Sequence, residues 1–329
     1  MKSTLNLFKP LLIFFAAITF FSCSTETGIW RKEQIKDGQR DELHNLTGKI
    51  FKAILTKDDR TFSNYLSKEM LSGYYYNKLS SQVYDQLMRD SLVLFDEFYV
   101  LNKYLNADTI TVKNGNNSYK LIYNGDPQEM YIAMYLPKKK LPDQYLTTLV
   151  YGNFDYGWKL KDINVTPYKI NSKTAPELYQ QATDDYTRGN VFAAANTMQL
   201  ARSCSRPNSY WQYDNETDLY NFAAKVSNEV NTTYHFPLKV EAVKSGPSIF
   251  RIYNNTYNEG TFPNVCYITK LSLTDTAALV KENKSIRGVI NSLLPGIESG
   301  TPYIVYSAFN KMPSYSEAVP HYEFKIKLH

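Results

Sequence analysis

Apolar side chains recur at intervals of three and four from Leu43 through Leu46, Ile50, Phe51, Ile54 and Leu55, which places them on one face of an amphipathic helix. Asp58-Asp59 supplies the cap of a second, short helix carrying Phe62, Tyr65 and Leu66, and Ser80 or Ser81 opens a third over residues 80–88. The period then falls to two. Residues 109–112, 118–123, 130–136, 145–151 and 158–165 are rich in β-branched and aromatic side chains, as half-buried strands are. Turn chemistry divides them at Asn114-Gly115, at Asn124-Gly125-Asp126-Pro127, between Pro137 and Pro142, and at Asp155-Tyr156-Gly157. In the third run Met130, Ile132, Met134 and Leu136 share one face, and Tyr131, Ala133 and Tyr135 the other. The short connections predict one antiparallel meander, curved around the preceding helices.

Helical periodicity returns over residues 174–207 and continues through Leu219, Phe222, Ala223 and Val226, which reads as a connector. Beyond it, residues 236–243, 248–253 and 265–273 are strand-like, as are 303–309 and 322–328. Between these groups Leu279, Ile286, Val289, Ile290 and Leu293 form one face of a helix capped by Thr274 or Asp275 and ended by Pro295-Gly296. This order predicts a second α+β domain with its helix packed on one sheet face.

Helices followed by a meander that closes on Gly157-Trp158-Lys159-Leu160-Lys161-Asp162-Ile163 resemble the nuclear transport factor 2-like family over residues 41–170. The resemblance implies a cone-like curved sheet around a pocket, which hosts enzymes in some members and a plain core or partner surface in others. Ala182, Tyr186, Gly189, Ala194, Met198 and Ala201 stand where a tetratricopeptide unit places its packing residues, so this segment resembles a single such helical pair. Gln181 and Pro207 depart from that pattern, and no second copy follows.

Composition and the amino-terminal segment add an address. Lys2 and Lys9 precede an apolar run from Leu11 to Phe21, too short to span ~30 Å of hydrocarbon, which reads as a secretory signal. Ser22-Cys23 is similar to the end of a bacterial lipoprotein signal, although Phe20 stands where that family prefers Leu. The resemblance implies that Cys23 becomes the first mature residue and carries palmitate-type acyl chains. Ser24, in place of an Asp that favours inner-membrane retention, implies the outer membrane. The expected division is a signal peptide over 1–22, a lipid tether over 23–40, an α+β domain over 41–172, a helical connector over 173–232 and an α+β domain over 233–329. Loss of the signal lowers the formal charge from +5 to +3, because Lys2 and Lys9 leave and no acidic residue goes with them. No clustered basic face is evident, which argues against a nucleic-acid partner. The run Lys138-Lys139-Lys140 reads as a solvated loop, with lipid-headgroup contact as the minority reading.

Candidate chemistry is sparse. The four histidines, His44, His235, His321 and His329, neighbour no catalytic signature, and no zinc spacing, P-loop or G-x-S-x-G is present. No cofactor or metal is implied. With Cys23 lipidated, Cys204 and Cys266 remain, either as a disulfide or as two buried thiols. The compositional anomaly is 28 tyrosines. Tyr74-Tyr75-Tyr76 reads as a helix end. Tyr210, Trp211 and Tyr213 are the candidate ligand- or partner-binding residues, against the plainer reading that such rings fill a core. Asp96 and Tyr123 are conceivable members of a first-domain catalytic pocket. The leading expectation is a non-catalytic, lipid-anchored envelope protein presenting a surface to a protein or glycan. The alternative is an envelope enzyme or small-molecule binder using the first-domain cavity. Mass spectrometry of the mature amino terminus tests the leader: an acylated Cys23 is expected, and an unmodified terminus at another residue contradicts it.

Overall fold

The computed structural model describes residues 27–73, 76–314 and 317–328, so the leader, Cys23, Tyr74 and Tyr75 lie outside the described residues. The described residues open with β1 (Gly28–Arg31), followed by the α-helices α1 (Asp37–Leu55), α2 (Asp59–Ser63), α3 (Lys68–Ser72) and α4 (Tyr76–Arg89). Six strands follow: β2 (Leu92–Leu101), β3 (Ala107–Val112), β4 (Tyr119–Asn124), β5 (Glu129–Pro137), β6 (Gln144–Phe154) and β7 (Gly157–Lys169). Next come α5 (Ala175–Thr187), α6 (Val191–Ser203), the short β8 (Trp211–Tyr213) and α7 (Glu216–Thr233). The last unit comprises β9 (Leu238–Lys239), β10 (Ser248–Tyr257), β11 (Gly260–Ile268), α8 (Thr276–Leu293), β12 (Tyr303–Phe309) and β13 (His321–Lys327).

An antiparallel five-stranded sheet, in the order β1-β2-β5-β6-β7, organises the first two-thirds of the chain. Alternation along β5 sends Tyr131, Ala133 and Tyr135 toward α1–α4, where they join Leu43, Ile50, Phe62 and Val83 in one core. Met130, Ile132 and Met134 enter the core on the opposite face. There a second sheet, β3-β4-β8, contributes Ile110, Val112, Tyr119, Leu121, Trp211 and Tyr213. Helices α5–α7 complete that layer with Leu178, Met198 and Leu219.

The α+β composition therefore holds, but the cone-like sheet does not. The strands expected to form one curved meander divide between two sheets, both open and uncurled, and no cone-shaped pocket is enclosed among the described residues. The cause is β2, whose adjacent Asp96 and Glu97 disguise it as a polar segment. It occupies the place beside β5 that a meander assigns to β4, and the β3–β4 hairpin folds over as a separate layer closed by β8. The nuclear transport factor 2-like resemblance fails with the cone. The tetratricopeptide reading carries no further: α5 packs on α6 and α6 on α7, as a cover for the sheet. The segment expected as tether to residue 40 contains β1 and the start of α1.

In the carboxy-terminal unit the sheet runs β13-β12-β11-β10-β9, with β11 and β12 parallel and α8 crossing between them. Asp275 caps α8 by accepting from the Ala278 amide at 3.0 Å, and Leu279, Ile286 and Ile290 bury against Val265, Tyr267 and Tyr306. This unit docks by burying Phe192 of α6 in its own core and through a polar joint. Thr261 donates its amide to Asn171 Oδ1 (2.8 Å) and its hydroxyl to Asp143 Oδ2 (2.6 Å), while Asn171 Nδ2 donates back to the Thr261 carbonyl (2.7 Å). Gly260, at φ +134°, is required beside it, since a Cβ there would collide with Asn171 Oδ1.

Asp96, 1% exposed, ties β1, β2 and β4 together. Arg31 binds it in bidentate fashion, Nε to Oδ1 at 2.9 Å and Nη2 to Oδ2 at 2.6 Å, and Tyr119 donates its hydroxyl to Oδ2 at 3.0 Å. Removing the cation leaves a buried carboxylate with the Tyr119 hydroxyl, the Glu97 amide and the more distant Lys32 ammonium at 3.9 Å. Arg31→Met is expected to lower stability by about 2–3 kcal/mol in urea denaturation, near the lower end of such losses because Arg31 is itself partly exposed. An unchanged midpoint would contradict this role for the pair.

Candidate functional site

One cross-strand row at the end of the main sheet places Glu129 of β5 opposite Asn153 of β6, and Asn153 opposite Trp158 of β7. Residues in such a row share a face, here the one beneath α1. Helical spacing brings Gln39, Glu42, Leu43, Leu46 and Lys49 of α1 over the row, and Asn64 and Tyr65 after α2 close its far side. Between them lies a cleft of about 600 Å3, of the size that ligand sites occupy.

Its floor is a fixed carboxylate. Tyr99 donates its hydroxyl to Glu129 Oε1, Asn153 Nδ2 donates to Oε2 at 2.6 Å, and Gln39 Nε2 donates to the Tyr99 oxygen at 3.0 Å. Burial, together with the hydrogen bond to Glu129, holds the Tyr99 phenol well above its ordinary pKa, so it stays a donor. Trp158 and Trp30 pack against the same tyrosine, at ring-centroid distances of 6.2 and 5.8 Å. Two oriented oxygens, neutral amides and aromatic faces thus meet in one cleft. That set accepts and donates hydrogen bonds to hydroxyls while an apolar face stacks.

A second polar row runs deeper. Tyr131 donates to Glu97 Oε2 at 2.6 Å, and His44 Nε2 lies 2.7 Å from the same oxygen, its role as donor or acceptor depending on the tautomer. Thr47 Oγ1 lies 2.8 Å from the Tyr151 hydroxyl. His44 is hydrogen-bonded to Glu97 and to no serine, threonine or cysteine among the described residues. No group of three or more His, Cys, Asp or Glu side chains suited to a metal ion occurs among the described residues.

The sequence-derived candidates lie elsewhere. Trp211 and Tyr213 are 2% and 1% exposed in β8, with Trp211 stacked on Tyr119 at 3.5 Å, so both rings fill the core and present no surface. Tyr210 is half-buried and donates to Asp162 Oδ2 at 2.7 Å. Cys204 and Cys266 are free and buried, without the disulfide, and burial pushes their thiols up to about 12 and about 11. Asp96 and Tyr123 are not brought together: Tyr123 donates to Asn102, and Asp96 receives Tyr119. Glu129, Asn153 and the chemistry of Trp158 escape the sequence reading. The signal for two of them was present, because Asn153 and Trp158 flank the Asp155-Tyr156-Gly157 turn symmetrically and must pair once a hairpin forms.

The chain matches no protein-family model, no curated protein and no solved structure. Geometry and chemistry alone carry the reading of the cleft.

The tyrosines beneath α1 give the fold an alkaline limit. Burial raises the phenols of Tyr99, Tyr131 and Tyr151 above the ordinary value and that of Tyr135 to about 12. In the unfolded chain they ionise near pH 10. The stability they contribute is therefore fully present below about pH 10 and is lost as pH rises through the folded values. Urea midpoints measured from pH 8 to 12 are expected to fall above about pH 10, and less steeply for Tyr131→Phe; a flat profile would contradict the burial argument.

Proposed function

We propose that this chain is a non-catalytic, lipid-anchored protein of the cell envelope, at the outer membrane, whose cleft beneath α1 binds a glycan segment. The observation that carries the reading is the row Glu129, Asn153 and Trp158, with Tyr65, Gln39 and Asn64 around it. A sugar ring offers hydroxyls along its rim and a C–H face above and below. The fixed carboxylate and the amides suit the rim, and the indole suits the face. Lys159 at the lip is engaged, donating to the Asn64 carbonyl at 2.7 Å.

The proposed anchor supports the same assignment. Gly28 pairs with Leu101, which pairs with Glu129, so the chain enters the fold in the row that floors the cleft. Cys23 precedes Gly28 by five residues, a span of at most ~18 Å when extended. Lipid on Cys23 therefore keeps the cleft close to the membrane surface, where envelope polysaccharides are attached.

A glycan array followed by calorimetry, using the full chain with Cys23→Ser, tests the reading. At least one neutral envelope-type oligosaccharide is expected to bind, with affinity about tenfold weaker in Trp158→Ala and in Glu129→Gln, the equivalent of about 1.4 kcal/mol each. Absence of any glycan ligand, or one bound equally by Trp158→Ala, overturns it.

A further inference from the structure

The opposite end of the main sheet carries a second cavity with different chemistry. Val93 pairs with Leu136 across β2 and β5, Gln144 pairs with Lys169 across β6 and β7, and beyond these pairs lies a cavity of about 470 Å3. Its apolar wall includes Val93, Phe95, Leu136 and Leu141, of which Val93 (44% exposed) and Leu141 (37%) stand open to water. Three cations line it as well, Lys138, Lys140 and Lys169, and no acidic residue does among the described residues.

None of these three ammonium groups makes an ion pair among the described residues. The neighbouring acids are otherwise engaged. Asp90 accepts the Lys139 backbone amide, and Glu177, which feels the charge of Lys169, accepts the Thr174 amide at 2.8 Å. A small hydrophilic anion would answer the lysines and leave the aliphatic wall in water. A neutral hydrocarbon would cover the wall and desolvate ammonium groups that make no direct ion pair among the described residues, which is unfavourable. A molecule that satisfies both has one anionic head and one short apolar tail.

The geometry points to a binding site for a free, single-chain anionic amphiphile, its carboxylate or phosphate head held by Lys138, Lys140 and Lys169 and its tail laid along Val93, Phe95 and Leu136. A free molecule, and not a bilayer headgroup, is assigned because the site lies at the far end of β5 from the row where the chain enters. Eight residue steps from Glu129 to Pro137 separate the two ends, roughly 27 Å at strand rise. That choice of source rests on the lipid-anchor reading; the chemistry of the cavity does not.

Calorimetry of the full Cys23→Ser chain with decanoate below its micellar concentration tests the site, with decanol and acetate as comparison probes. Saturable one-to-one binding of decanoate is expected, at least tenfold tighter than either comparison probe and weakened by added salt. Lys138→Gln/Lys140→Gln is expected to weaken it at least tenfold, and Leu141→Ser severalfold. These exposed positions should leave the urea midpoint unchanged, which separates lost binding from lost folding. Trp158→Ala is expected to bind decanoate normally, so failure of the glycan reading is distinguishable from failure here. Equal binding of decanol, unaltered binding by the double lysine variant, or sedimentation with phosphatidylglycerol vesicles without binding of monomeric decanoate would each overturn the proposal.

Discussion

Strand β5 has no face toward water, and the architecture follows from that constraint. From Met130 to Tyr135 every side chain is buried, alternately toward the helices and toward the second sheet. A strand buried on both sides needs two covering layers. The helices α1–α4 supply one, and the β3-β4-β8 sheet with α5–α7 supplies the other. Adjacent Asp96 and Glu97 in neighbouring β2 then point in opposite directions, one into each layer, and each is met by partners from elsewhere in the chain. Arg31 and Tyr119 meet the first, and His44 and Tyr131 the second. Buried acids of this kind add little net stability, since desolvation offsets much of the pairing, but a misplaced layer leaves them unpaired.

Both cavities follow from the same arrangement. The covering layers meet the middle of the sheet and leave its end rows open, so each end becomes a recess floored by backbone-anchored side chains. The rows differ in chemistry because the strands do. At one end Glu129, Asn153 and Trp158 combine a carboxylate, an amide and an indole; at the other, the lysine loop after β5 meets Val93 and Leu136. The first row, on strand ends, holds its geometry better than the loop-borne Lys138 and Lys140 of the second. The carboxy-terminal unit joins this scaffold by taking Phe192 of α6 into its core and through the hydrogen bonds among Asp143, Asn171 and Thr261.

Much of the local structure was legible in the residues. The alternation of β5 reads correctly from Met130 to Leu136, because period-two patterning survives whichever layer each face meets. Asp58 and Asp275 mark helix starts through short-range side-chain bonds to Thr61 and Ala278. β2 was hidden because its central acids mimic a loop unless their partners, 65 and 53 residues away in the chain, are known. Trp211 leaves both a surface and a core reading open in sequence, because a three-residue strand has no periodicity to reveal that it closes a sheet.

Local patterning by itself determined most of the longer helices and strands, that α8 packs on one face of its sheet, and which faces of β5 are apolar. These depend on interactions between residues a few positions apart. Tertiary structure alone decided that the strands divide between two open sheets, that Trp211 and Tyr213 are core, that Cys204 and Cys266 stay apart, and that Glu129, Asn153 and Trp158 share a cleft. Each of those outcomes is a pairing across the fold, and its free energy arises only when distant segments lose water together.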